Sequence, residues 1–208
     1  MGKQVMGLLI ALVGGIAMAS VLVAIVFGTR AAPSTISVPP GPAVPAFGLT
    51  DQNGNPVDES ILDGRYTVVD FIFTSCPLYC PTMTAEMKRI QDATAGTGLR
   101  FLSLSIDGEV DTPERLLAWG EAYGADPDRW VFATGAPASV WAIARTLGFD
   151  VSLEDDDITK ADGSVAANIN HPTRLILVGP DRRVIDMAAY TVPGEVDALI
   201  AKARKLAG

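Results

Sequence analysis

Hydrophobic and polar positions divide the chain into three stretches. Residues 5–27 carry no charge, and Leu, Ile, Val and Met are interspersed there with Gly and Ala. At about 1.5 Å of rise per residue, such a run spans a hydrocarbon core of roughly 30 Å, so residues 1–30 are expected to form a single transmembrane helix that anchors the chain. Ala17-Met18-Ala19 has the small-x-small look of a cleavage site. Cutting there would leave residues 21–27 as an apolar new N-terminus, and the run is long for a signal peptide, so an uncleaved anchor is expected. Residues 31–45 contain Pro33, Pro39, Pro40, Pro42 and Pro45. They cannot form helix and predict an extended, semi-rigid stalk. Residues 46–208 alternate short apolar runs with amphipathic segments and predict one folded domain.

Within that domain the pattern predicts a β-hairpin over 47–58, its turn marked by Asp51-Gln52-Asn53-Gly54-Asn55. Residues 66–73 are a continuous β-branched and aromatic run, as in a strand covered on both faces. After the cysteines, Pro81 suits a first helical position. Met83, Met87 and Ile90 then share one face, with Glu86, Lys88, Arg89 and Asp92 elsewhere. Residues 99–106 predict a second strand, and Thr112 and Pro113 open a helix to about Tyr123. A short strand at 130–133 and a helix over 137–147 follow. Strands at 173–178 and 184–189, joined through Gly179-Pro180-Asp181, form a hairpin, and an amphipathic helix over 194–206 closes the chain. The order β-α-β-α-β-α-β-β-α predicts an α/β sheet with an antiparallel end.

Charge narrows the function. All 24 acidic residues lie in the domain, against 16 Lys and Arg in the whole chain, for a net charge of −8. Such a surface argues against sequence-independent nucleic-acid binding, which needs phosphate-facing Lys and Arg. It fits a partner with a basic docking face, or simply a solvated exterior.

The candidate chemistry is concentrated in three residues. Cys76 and Cys80 are the only cysteines, and His171 is the only histidine. Structural zinc usually needs four ligands and an iron–sulfur cluster four thiolates, so one chain lacks donors for either. Copper suits thiolate and imidazole, and a metal-free redox pair of thiols is the competing reading. Cys76 follows the buried strand and Cys80 precedes a helix, the place where open α/β sheets put ligands. The helix start should make Cys80 thiolate-prone. With three residues between them the sulfurs can close a disulfide or grip one ion. His171 stands before Pro172 and an apolar strand. That arrangement resembles the thioredoxin fold, in which a cis-proline ahead of a strand faces the cysteine motif, and it implies a cis His171–Pro172 bond.

At these residues the chain resembles the Sco (SenC-like) family of membrane-anchored, thioredoxin-like copper chaperones. Cys76-Pro77-Leu78-Tyr79-Cys80-Pro81 is similar to the family's C-P-x-x-C-P motif, His171 to its distant histidine, and Gly179-Pro180-Asp181 to its G-P-D turn. The resemblance implies a thioredoxin-like domain that binds Cu(I) or Cu(II) through Cys76, Cys80 and His171. It implies as partner the copper subunit of cytochrome c oxidase, or another copper protein, and delivery to or preparation of the dinuclear copper centre. Some members reduce disulfides, so a membrane-tethered thiol–disulfide oxidoreductase using Cys76 and Cys80 is the alternative. No Arg/Ser-rich transit peptide precedes the apolar run, so a bacterial inner membrane with the domain in the periplasm is the expected location.

The chain departs from the family pattern at three places. Leu78 stands where an Asp is common, Gly108 replaces the first proline of a D-P-x-x-D-T-P loop, and Asn170 precedes the histidine. Asp107 and Asp111, in that loop, are candidates to orient His171 or dock a partner, unless they are ordinary loop and helix-start acids. Met83 and Met87 carry soft thioethers, but their helical spacing is that of core packing. Tyr79, between the sulfurs, either covers the site or simply packs. Glu154-Asp155-Asp156-Asp157 lies in the long connection to His171, either as a solvated loop or as a gate for the third ligand.

Overall fold

The computed structural model describes residues 41–77 and 79–208. The expected anchor at 1–30 and most of the stalk lie outside the described residues. Among the described residues no helix is long and apolar enough to cross a membrane. The last stalk residues, from Gly41 on, lie along the domain. Val44 N–H donates to the Arg182 carbonyl at 2.8 Å, Ala43 bridges Arg183, and the Val44 side chain is buried.

A seven-stranded sheet organises the domain. Strands β1 (Gly48–Asp51) and β2 (Pro56–Asp58) form the N-terminal hairpin, closed by Asp51 accepting the Asn53 and Asn55 amides at 2.8 Å. A short 3-10 turn, Glu59–Leu62, follows, capped by Asp58. Strand β3 (Thr67–Ile72) is buried throughout and runs parallel to β4 (Arg100–Ser105), which pairs in parallel with β5 (Trp130–Thr134). Strands β10 (Arg174–Val178) and β11 (Val184–Ala189) add antiparallel to the other side of β3, and β1 pairs antiparallel with β5. Both ends of the sheet are therefore antiparallel around a parallel centre.

Helix α1 (Cys80–Ala93) links β3 to β4, and α2 (Pro113–Tyr123) links β4 to β5. Both connections step in the same direction, so right-handed crossover puts both helices on one face. Trp119 Nε1 of α2 donates to Thr84 Oγ1 of α1 at 3.2 Å. Helix α3 (Pro137–Thr146) follows β5, and its Trp141 Nε1 donates to the Ile106 carbonyl just beyond β4 at 2.8 Å. Helix α4 (Glu195–Ala207) rejoins α1 through the Arg89–Asp197 ion pair at 2.6 Å. Helix α2 follows its sequence signals closely. The Thr112 side chain accepts the Arg115 amide, Pro113 opens the helix, and Gly124 at φ 68° ends it in the left-handed region only glycine enters freely.

The long connection before β10 is a hairpin arm. Strand β6 (Ser152–Leu153) pairs with β9 (Ile169–Asn170), and β7 (Ile158–Thr159) with β8 (Val165–Ala166) nearer the tip. His171 follows β9 at the base of this arm.

Candidate metal centre

Sheet topology brings the three candidate ligands together. Cys76 lies just beyond the carboxyl end of β3, and Cys80 is the first residue of α1. Strand β10 runs antiparallel to β3, with Ile176 opposite Val69, so the start of β10 lies beside the end of β3. Continued outward, that register sets Pro172 opposite Phe73 and leaves His171 at the cysteine loop. The ligand atoms of Cys76, Cys80 and His171 all lie within 4.8 Å of one another. His171 Nε2 is 3.6 Å from Cys80 Sγ, and both thiols are free. His171 stands edge-on to Phe73, ring centroids 5.5 Å apart. Its Nδ1 is 3.1 Å from the Pro172 carbonyl oxygen, which can only accept, so the proton resides on Nδ1 and the Nε2 lone pair faces the sulfurs.

No cis peptide occurs among the described residues, so the expected cis His171–Pro172 bond is not found. The residue before proline favours extended backbone, and a trans bond carries β9 straight through His171 towards β10.

The assignment of the thiolate also changes. Cys76, not Cys80, receives the amides at the start of α1: Tyr79 N–H donates to Cys76 Sγ at 3.4 Å. The neighbouring Cys80 thiol above all, and then the Cys80 and Tyr79 amides at the start of α1, lower Cys76 to about 3, against a smaller upward push from burial. Cys80 moves the other way, pushed up by its hydrogen bond to Cys76, by its complete burial and by the negative charge on Cys76. One sulfur is thus held as thiolate and the other as its thiol donor. Phe73 N–H also donates to Cys80 Sγ at 3.4 Å.

A cavity of about 310 Å³ opens onto the centre, lined by Phe73, Cys76, Tyr79, Glu154 and His171 among others. Tyr79 is 52% exposed at its mouth. Glu154 reaches this cavity from the base of the arm, while Asp155, Asp156 and Asp157 are exposed to solvent. Met83 and Met87 are fully buried, as their spacing predicted.

The two loop acids do not orient His171. Asp111 is completely buried and accepts hydrogen bonds from Thr74 and Ser105, next to the cysteine turn. Asp107 is buried at the same end of β4 and is raised by burial and by the nearby Asp111. Asp70 stands in the middle of β3, completely buried, with no hydrogen-bond partner for either oxygen among the described residues, and burial pushes it up to about 7. A lone carboxylate inside a β-branched and aromatic run is the sequence signal that could have found it.

The SCO1/SenC family model matches residues 38–208. The chain belongs to the SCO1/SenC family. The SCO1 protein homolog of Bacillus subtilis is 31% identical over 144 residues, 68% of this chain and 71% of that protein. Among solved structures, BsSco, a member of the Sco family of cytochrome c oxidase assembly proteins, superposes with a TM-score of 0.66 at 27% identity. That match covers 83% of this chain and 98% of BsSco. ScoI of Bradyrhizobium japonicum, solved with copper bound, gives a TM-score of 0.63 at 23% identity, over 79% of this chain and 99% of ScoI. The thioredoxin-like α/β fold is thus common to this chain and its Sco relatives.

Proposed function

We propose that this SCO1/SenC member is a copper carrier tethered to the bacterial inner membrane, its domain in the periplasm, with Cys76, Cys80 and His171 as ligands of Cu(I) or Cu(II). In this reading it delivers copper to, or prepares, the dinuclear copper site of cytochrome c oxidase. The observation that carries the proposal is the convergence of two thiols and one imidazole, on three separate elements, within 4.8 Å. The donor set is soft and three-membered, which suits Cu(I) and falls short of a structural zinc site. Cys76 is poised as thiolate, and Cys80 gives up its proton when the metal enters, so loading releases a proton. An anchor at residues 1–30 and a proline-rich stalk at 31–45 would raise the local concentration of the site near a membrane-bound acceptor. Copper-bound relatives support the reading.

The test is a titration of the reduced full-length protein with Cu(I) against a chromophoric chelator, repeated with Cys76→Ser and His171→Ala. Both substitutions should weaken binding. Unchanged affinity in both variants would sink the carrier reading.

A second reading has its own support: Cys76 is a thiolate that lines an open cavity, with the Cys80 thiol behind it. That is the layout of a thiol–disulfide reductase, with Cys76 attacking and Cys80 resolving the mixed disulfide. Such an activity should survive His171→Ala, whereas three-ligand copper binding should not.

A further inference from the structure

Of the three sulfur and imidazole groups, only that of Cys76 sits on an irregular turn. Cys80 is placed by α1, and His171 by the arm, β10 and the edge of Phe73. Cys76 N–H donates to the Phe73 carbonyl at 3.1 Å, closing a turn whose central residues are Thr74 and Ser75. Both are held from outside the turn. Asp111 accepts the Thr74 amide at 3.0 Å and the Thr74 hydroxyl at 2.5 Å, and the Ser105 hydroxyl at the end of β4 at 2.7 Å. Arg115, one helical turn further along, lies 3.7 Å from the Asp111 carboxylate and donates to Thr74 Oγ1 and Ser75 Oγ. Among the described residues none of these side chains hydrogen-bonds a sulfur or the imidazole.

We propose that Asp111 is a positioning residue for this centre, acting through the Thr74–Ser75 turn to fix Cys76 relative to Cys80 and His171. The role rests on the reading of those three residues as a copper site. The carboxylate ties together the ends of β3 and β4 and the start of α2, so the turn is located by the frame of the sheet. Without it, the Thr74 amide and hydroxyl and the Ser105 hydroxyl lose their buried acceptor, and the turn keeps its own Cys76–Phe73 hydrogen bond, the Arg115 contacts and the Tyr79 amide on the Cys76 sulfur. Outer groups that orient ligands in this way typically contribute 10–100-fold to metal affinity.

The experiment compares wild type, Asp111→Ala, Asp111→Asn and Thr74→Val as reduced full-length proteins. Three quantities are read: Cu(I) affinity by chelator competition, the thiolate-to-Cu(II) absorption band, and the midpoint potential of the Cys76/Cys80 couple against glutathione. Circular dichroism and the thermal midpoint report folding. Asp111→Ala should weaken Cu(I) binding by about 10–100-fold, shift the band and move the potential. Asp111→Asn keeps an oxygen for the Thr74 amide and can turn its NH2 to the Ser105 hydroxyl, so it should recover most of the affinity. Thr74→Val deletes the hydroxyl's contacts to Asp111 and Arg115, leaves the amide bond to Asp111, and should move all three readouts in the same direction as Asp111→Ala. If Asp111→Ala does not fold, Thr74→Val decides. Folded variants with wild-type affinity, band and potential overturn the role of Asp111. Should wild type itself fail to bind copper, the copper reading falls, and the potentials of the metal-free proteins decide for or against the positioning role.

Discussion

The Pro172 carbonyl oxygen lies 3.1 Å from Nδ1 of His171, its own neighbour in sequence, and selects the imidazole tautomer. In the neutral, metal-free protein the Nδ1–H form should therefore dominate. Nitrogen-15 NMR of the histidine ring checks this: Nε2 should show the shift of an unprotonated nitrogen. A dominant Nε2–H form would mean that the ring does not present its lone pair to the sulfurs.

Cys76 and Cys80 should differ in reactivity. With Cys76 lowered to about 3, it is thiolate across roughly pH 5 to 8, so its alkylation by iodoacetamide should be nearly flat over that range. An ordinary thiol would gain close to tenfold per pH unit there. Mass spectrometry of the Cys76–Cys80 peptide after brief labelling should find the modification on Cys76, because Cys80 is fully buried and held as thiol. Labelling that starts on Cys80 would reverse the assignment.

Asp70 makes stability pH-dependent in the direction opposite to a salt-bridged carboxylate. Its folded value, about 7, lies above the ordinary 3.8, so the folded state binds more protons between those limits. Its contribution is complete below about pH 4 and is lost as pH rises towards 7. A shift of about three units corresponds to roughly 4 kcal/mol as an order of magnitude. Urea unfolding at several pH values should show Asp70→Asn gaining stability over wild type at pH 8 and little at pH 4. Parallel pH profiles for the two proteins would show that the carboxyl does not titrate on folding.

Gly108, in the loop between β4 and α2, is forced by its surroundings. A Cβ built there falls inside the carbonyl group of Gly135. Gly108→Ala should cost about 1–3 kcal/mol through overpacking, and Gly108→Pro should cost at least as much. Chemical denaturation midpoints measure both. A neutral Gly108→Pro would show that the Gly135 loop yields.

Much of the frame was legible because local chemistry and tertiary structure agree. Thr112, Pro113 and Gly124 mark both ends of α2, and the run over 66–73 is a strand covered on both faces. The meeting of Cys76, Cys80 and His171 was legible from the unique ligand types and the strand–loop–helix placement. The thiolate assignment was not, since it depends on which sulfur the free amides of α1 reach. The trans bond at Pro172 and the partners of Asp111 depend on how β4, β9 and β10 meet around the site. The paired strands of the 152–170 arm were hidden because each has only two residues, too few for a period to register.

The cavity at the centre is lined by Cys76 and His171 but not by Cys80, which lies behind them. The site therefore has a front and a back. In the proposed copper carrier, an incoming donor atom would meet the Cys76 sulfur or the imidazole first, and the Cys80 sulfur would be the last grip to be released. Handover through such a site would be sequential, the buried sulfur keeping the metal until the acceptor has taken hold.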